Sequence, residues 1–118
     1  MTDQRRSAHA RDDAIPRRLQ LTLPACGQPV RLARQVAREV LTAWGLARVE
    51  DTTLLLVSEL VTSAVRHAKG SDVITLELEV VPTCLRIEAY RCRPGLAAPR
   101  TAGEFDDLGF GLALMDCV

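Results

Sequence analysis

Three polar side chains that could do chemistry recur at intervals of four residues in the middle of the chain: Glu59, Ser63 and His67. At this spacing they share one face of a helix whose other positions are mostly apolar. A carboxylate can act as a general base, and a hydroxyl oxygen can bind a hard cation such as Mg²⁺. Because buried polar groups need partners, the row predicts a helix face turned towards a cleft, a ligand or water. An ordinary solvent-exposed face is the alternative.

The second candidate is the glycine pair Gly109 and Gly111, which precedes an apolar segment. Glycines at a helix start let backbone N–H groups approach an anion, which the positive end of the helix favours. We therefore expect a glycine-led helix over residues 109–118, and a glycine turn that only packs is the alternative. Residues 91–108 are rich in proline and glycine and lack periodicity. They predict a long loop, either a movable lid or a simple connector.

The apolar pattern predicts the scaffold that must position these residues. Strict alternation predicts a short strand over residues 18–23, and residues 72–81 and 84–90 alternate as in a hairpin with one wet face. Helical spacing predicts helices over residues 30–44 and 53–69, the second buried on most sides. We expect an α+β fold, a two-layer α/β sandwich with both helices on one face of a mostly antiparallel sheet.

The composition is that of one ordinary globular domain. The chain has 118 residues, of which 47% are hydrophobic and 25% charged. Its formal net charge is zero, so it has no general attraction to nucleic acid or to an anionic membrane. Residues 1–17 are polar, aperiodic and rich in arginine. We expect a disordered charged leader there, followed by a domain over residues 18–118, and an arm that binds nucleic acid is the alternative.

Cysteine and histidine usage argues against a metal centre and against secretion. The four cysteines form no CxxC pair, and with two histidines they lack metal-ligand spacing. The sequence has neither a signal peptide nor an apolar run long enough to span a membrane. We therefore expect a cytoplasmic protein with reduced thiols and no contact with a membrane.

Three segments, in this order, resemble the sequence boxes of the GHKL (Bergerat-fold) ATPases, on the branch of the bacterial anti-sigma-factor serine kinases. Residues 59–68, ELVTSAVRHA, resemble the N-box E-L-V-T-N-A-x-x-H-A. Residues 91–95, RCRPG, stand where the family has a box of the type D-x-G-x-G, and residues 109–114, GFGLAL, match its G-x-G-L-x-L box. The resemblance covers residues 18–118 and implies a histidine-kinase-like ATPase domain that binds ATP and Mg²⁺.

The resemblance implies a role for each matched residue. Glu59 corresponds to the glutamate that activates or positions water, and Ser63 stands in place of the asparagine that binds Mg²⁺. Arg91 replaces the aspartate that accepts a hydrogen bond from adenine, and arginine has only donors. Losing a buried acceptor costs about 1–3 kcal/mol, which lowers affinity roughly ten- to hundredfold. The other cofactor-binding positions that the resemblance implies are His67, Gly95, Gly109, Gly111 and Leu112.

The family's activity implies a regulator of transcription. Such a protein sequesters a sigma factor and, as a serine/threonine protein kinase, phosphorylates an anti-anti-sigma (STAS-type) partner. The substitutions at Ser63 and Arg91 predict weakened nucleotide binding, and the alternative is a non-enzymatic interaction module of the same fold that does not bind ATP. Family members continue beyond the third box, whereas this sequence stops at Val118. We therefore expect an open sheet edge or helix face, and a homodimer or a protein partner that covers it.

Overall fold

The computed structural model describes residues 17–93 and 110–117. The elements in chain order are strand β1 (Arg18–Pro24), helix α1 (Pro29–Ala43), a 3₁₀ turn (Ala47–Val49), helix α2 (Glu50–His67), and strands β2 (Val73–Val81), β3 (Cys84–Cys92) and β4 (Phe110–Asp116). Both helices pack on a four-stranded antiparallel sheet of order β1-β2-β3-β4. The predicted α+β class and its two-layer arrangement are confirmed. Across the described ranges, no helix has both the length and the apolar character needed to cross a bilayer.

Two of the sequence predictions fall wholly or mainly on residues outside the described ranges. The charged leader over residues 1–17 lies outside them apart from Arg17. The loop predicted over residues 91–108 lies outside them beyond Arg93. The first two residues of that predicted loop belong to β3, which continues to Cys92.

The two helices follow their apolar periodicity. In α1 the inward positions Ala33, Ala37 and Leu41 are fully buried, and Gly45, at a φ of 74°, provides the left-handed turn that ends the helix. This helix agrees with its prediction to within one residue at each end. Helix α2 begins at Glu50, three residues before the predicted start at 53, because the 3₁₀ turn runs directly into it. Its buried positions are Thr53, Leu54, Val57, Val61 and Ala64.

The predicted hairpin is confirmed as β2 and β3. Residues that pair across an antiparallel ladder place their side chains on the same face, so Leu76 with Ala89 and Leu78 with Ile87 form two fully buried rows against the helices. The intervening rows, such as Glu77 with Glu88, turn to the other face of the sheet. We call this second face, away from the helices, the outer face.

The prediction of a helix over residues 109–118 is wrong, because Phe110–Asp116 form strand β4 against β3. A helix of ten residues is not stable without extensive packing, whereas β3 offers a complete row of backbone partners to a strand. The residues also alternate: Gly111, Ala113 and Met115 are half-buried, and Leu112 and Leu114 are exposed. The glycine pair therefore does not start an anion-binding helix, and Gly109 itself lies outside the described residues.

Candidate functional site

The polar row that the sequence singled out lies along one flank of α2. Residues four apart on an α-helix are offset by about 40°, so the row winds gradually from solvent towards the sheet. Accordingly Glu59 is exposed, and Ser63 and His67 are half-buried. None of the three side chains has a hydrogen bond to another described residue. Their side-chain polar atoms are therefore available to a ligand or to water, and a simple solvent-facing flank has the same geometry.

Two contacts fix how α2 runs over the sheet. Near the start of the helix, Thr53 Oγ1 lies 3.4 Å from Met115 Sδ. Two turns later Leu60 packs on Gly111 so closely that a Cβ built on the glycine would lie 2.5 Å from Leu60 Cδ2. The helix thus runs antiparallel to β4 and parallel to β3, and its last two turns lie over the end of β3.

Arg91 lies at this end of the sheet. It pairs with Ile74, which is fully buried, so Arg91 is on the side of the sheet that faces the helices. Ala89, which pairs with Gly111, is two residues before it and lies at the level of Leu60. Arg91 is therefore level with the turn of α2 that carries the half-buried part of the polar row. The structure brings these predicted residues to the same end of the helix-facing side.

Asp72 anchors the Arg91 side chain. Its carboxylate oxygen Oδ2 accepts a hydrogen bond from Arg91 Nη1 at 3.2 Å and another from the backbone N–H of Lys69 at 2.9 Å. The Lys69 hydrogen bond is the main reason that the pKa of Asp72 is lowered; burial opposes it, and the hydrogen bond and charge of Arg91 and the charge of Arg93 add to it. The Arg91 guanidinium, which can only donate hydrogen bonds, is thus held in place. The sequence resemblance implies an acceptor at this position.

Among the other predicted cofactor residues that the structure describes, Leu112 and Gly111 do not join this group. Leu112 was expected at the nucleotide, but strand alternation turns it to the outer face, where 44% of it is exposed. Gly111 contacts Leu60, so its missing side chain serves helix packing. Gly95 and Gly109 lie outside the described residues.

A groove that the sequence did not predict opens on the opposite flank of α2, beside the start of α1. Its volume is about 500 Å³. Within it, Arg34 Nη1 donates to Ser58 Oγ at 2.7 Å and to the Leu54 carbonyl at 3.3 Å, which ties α1 to α2. Arg31 and Arg34, three residues apart in α1, were the only hint of this groove in the sequence. Charged residues at helical spacing more often mark a solvated face. The lining residues are Ala25, Gly27, Gln28, Pro29, Val30, Arg31, Arg34, Thr62 and Val65.

The outer face of the sheet carries a separate polar network. Glu77 Oε2 accepts hydrogen bonds from Gln20 Nε2 at 2.8 Å and from the Tyr90 hydroxyl at 3.1 Å. Burial, followed by the neighbouring Glu77 charge, raises the pKa of Tyr90 to about 12. Arg86 forms ion pairs with Glu79, which lies opposite it in the ladder, and with Glu88, which lies opposite Glu77. This network lies across the sheet from α2 and is distinct from the candidate site.

The possible ligands for a cation are few. In the part of the chain that the structure describes, no three His, Cys, Asp or Glu side chains come together as a metal-binding group. On the polar flank of α2, the Ser63 hydroxyl and the Glu59 carboxylate, one turn apart, are oxygen donors of the kind that Mg²⁺ prefers. Mg²⁺ usually keeps several waters and uses one or two protein ligands with substrate phosphates, so this pair fits a shared metal better than a metal held by protein alone.

The chain matches no protein-family model, and a search of the curated proteins finds no significant match. Its candidate site is therefore interpreted from its own residues and from the resemblance of its sequence boxes.

Proposed function

We propose that this chain is a regulatory domain of the GHKL type that acts by binding proteins, in the manner of the anti-sigma-factor serine kinases, with weakened binding of ATP. The observation that carries the proposal is the polar row of the N-box-like segment. Glu59, Ser63 and His67 lie along one flank of α2, and their side chains make no hydrogen bonds to other described residues. This helix precedes a hairpin whose last helix-facing row, Ile74 with Arg91, lies at the same end.

The phosphate side of the proposed site has suitable chemistry. A bound Mg²⁺ would neutralise phosphate charge, and Ser63 could supply an oxygen ligand to it. The serine side chain is shorter than the asparagine of the family box, so it would reach the ion less directly, or through a water. Glu59 is exposed and one turn away, where a carboxylate can orient or deprotonate a hydroxyl group.

The adenine side of the proposed site lacks the expected acceptor. Arg91 can only donate, and its guanidinium is already hydrogen-bonded to Asp72. This pair favours a second candidate function, a non-enzymatic interaction module of the same fold that does not bind ATP. The two candidates share a protein partner, a sigma factor or a STAS-type anti-anti-sigma protein. They differ in whether serine/threonine kinase activity is retained.

Titration of ATP with Mg²⁺ by isothermal calorimetry tests the proposal. The wild type is compared with the double variant Ser63→Asn plus Arg91→Asp, which restores both family residues. Because Arg91→Asp would place a second carboxylate beside Asp72, Asp72→Asn is added to this variant and is also measured alone. Arg66→Asp, on an exposed position of α2, is the control that matches the change of charge.

Each outcome separates the candidates. Weak saturable binding by the wild type, strengthened about tenfold or more by the restored residues, supports the weakened nucleotide site. Binding only by the restored variant supports the non-enzymatic module. If neither protein binds ATP while both remain folded, the assignment to a GHKL-type site is rejected.

A further inference from the structure

The two edges of the sheet differ in how well they are protected from pairing with another strand. The edge strand β1 carries polar residues at Arg18, Gln20 and Thr22 and ends in Pro24, features that discourage pairing. The edge strand β4, with the sequence FGLALMD, has no proline and a single charge, on Asp116. No strand pairs with its outer edge within residues 17–93 and 110–117. An edge of this composition is an open template for strand addition.

One hydrogen bond shows which residues of β4 direct their backbone groups outwards. The N–H of Cys117 donates to the Thr83 carbonyl at 3.1 Å, directly beyond the last ladder pair. Hydrogen-bonded and non-hydrogen-bonded pairs alternate in an antiparallel ladder. Residues 111, 113 and 115, which alternate with Cys117 along the strand, therefore exchange hydrogen bonds with β3. The residues between them, including Leu112 and Leu114, turn their N–H and C=O groups to the outer edge.

The same two residues expose apolar side chains. Leu112 is 44% and Leu114 is 60% exposed on the outer face. An antiparallel pairing of β4 with a second β4 about a two-fold axis at Ala113 would set Leu112 opposite Leu114 of the partner subunit. Every outward-directed residue of the strand then meets another outward-directed residue. The four leucines come together on one face of the joined sheet.

The register is selective. Moving the second strand by two residues in one direction sets Asp116 opposite Leu112, which buries a charge beside an apolar group. Moving it by two residues in the other direction places Asp116 beyond Phe110, the first described residue of the second strand, so fewer of the described residues pair. Only the register centred on Ala113 uses the whole strand. Strand β4 is thus self-complementary in length, in backbone direction and in side-chain chemistry.

We propose that β4 is a self-association edge, through which two copies of this chain pair antiparallel into one continuous sheet. This inference does not depend on nucleotide binding or on the proposed function. A single pair of strand edges is smaller than the standard protein interface of about 1,600 Å². The dimer is therefore reversible and depends on protein concentration.

Sedimentation equilibrium over a wide range of protein concentration tests the proposal. Leu114→Pro removes one outward N–H while leaving the ladder to β3 intact, since proline is tolerated at such edge positions. Leu112→Lys plus Leu114→Lys places like charges opposite one another. Both variants are expected to weaken dimerisation roughly tenfold or more. Leu32→Lys and Leu55→Lys, at exposed leucines on α1 and α2, are the matched controls and leave it unchanged.

A cysteine cross-link tests the register. At a two-fold axis Ala113 faces its own copy as a non-hydrogen-bonded pair, with Cα atoms about 4.5 Å apart, within the range that a disulfide spans. Ala113→Cys is expected to give a cross-linked 113–113 peptide under mild oxidation, and Leu112→Cys much less, because that residue faces 114. Mass spectrometry distinguishes these links from those of the native cysteines.

Three results would overturn the proposal. The first is a wild type that stays monomeric throughout the concentration range. The second is a dimer that the β4 variants leave intact or that the control variants disrupt equally. The third is a loss of thermal stability in the lysine variant at a protein concentration where the wild type is also monomeric, because that would mean that another part of the same chain covers β4.

Discussion

Arg91 and Asp72 join the end of β3 to the connection between α2 and β2, with Arg91 Nη1 3.2 Å from Asp72 Oδ2. The same carboxylate oxygen receives the backbone N–H of Lys69 at 2.9 Å, so one side chain closes the turn after the helix and orients the guanidinium. Any anion or partner that Arg91 meets must compete with this carboxylate. The conformation of the turn between α2 and β2 therefore determines where the positive charge of Arg91 lies beside the polar flank of α2.

Asp72→Asn is expected to lower the free energy of unfolding at neutral pH and to matter less in acid. The pKa of Asp72 is below its ordinary value of 3.8 in the folded protein, chiefly through the Lys69 hydrogen bond. The unfolded chain therefore takes up a proton first. The contribution of the carboxylate is present above its unfolded pKa and is lost as pH falls through the folded pKa. Urea unfolding of both proteins from neutral pH down to about pH 3 checks this, and a difference that grows in acid would contradict it.

Gly111→Val is expected to destabilise the protein by about 1–3 kcal/mol, because side-chain atoms at this position would overlap Leu60. A Cβ on Gly111 alone would lie 2.5 Å from Leu60 Cδ2. Adding Leu60→Ala removes the overlap, so the valine should cost about 1 kcal/mol less in that background. Denaturant unfolding of the four proteins of this cycle measures the coupling. Leu55→Ala, an exposed leucine of the same helix, should give no such relief.

Tyr90→Phe is expected to destabilise the protein by about 1–3 kcal/mol at neutral pH, because the hydroxyl donates to a carboxylate, Glu77. Burial raises the pKa of Tyr90 to about 12, above its ordinary value of 10.0. The unfolded chain loses this proton first, so the stabilisation is present below the unfolded pKa and is lost as pH rises from there through the folded pKa. The two proteins should converge in stability over this interval. A constant difference up to the folded pKa would contradict the assignment.

Arg34→Ala is expected to cost about 1–3 kcal/mol, because it leaves the Ser58 hydroxyl without a donor that joins α1 to α2. Arg34 Nη1 lies 2.7 Å from Ser58 Oγ. The matched control is Arg31→Ala, one turn earlier in the same helix and exposed, which should change stability by less than about 0.5 kcal/mol. Thermal unfolding of the two variants side by side makes the comparison, and equal losses would mean that the Arg34 contact contributes nothing.

The elements that the sequence predicted well are those whose apolar pattern is long and local. Helix α1 repeats its buried positions over four turns, and β2 with β3 alternate on both sides of a two-residue turn, so each was located from its own residues. The polar flank of α2 followed from its spacing in the same way. Sequence periodicity also gave the start of α2 to within one turn, but it could not show that the 3₁₀ turn merges with the helix.

Strand β4 and the groove beside α1 could not be predicted, because both depend on distant residues. The segment Phe110–Asp116 is short, and its glycine pair suggested a helix start, whereas the edge of β3 determines its conformation. Arg34 looked like part of a solvated helix face, but Ser58 on another helix fixes it. The position of Leu112 on the outer face follows from the same strand, which the sequence did not predict.

The strands follow the same order in the sheet as in the chain, yet the chain segments that connect them differ greatly in length. Pro82 and Thr83 alone connect β2 to β3, whereas β1 reaches β2 only after both helices have been traversed, as in the pairing of Pro24 with Val73. Closing the short loop costs far less chain entropy than closing the long one. During folding the β2–β3 hairpin should therefore form early and β1 should dock last. The same topology makes β1 the first strand to detach when the protein is pulled from its amino terminus.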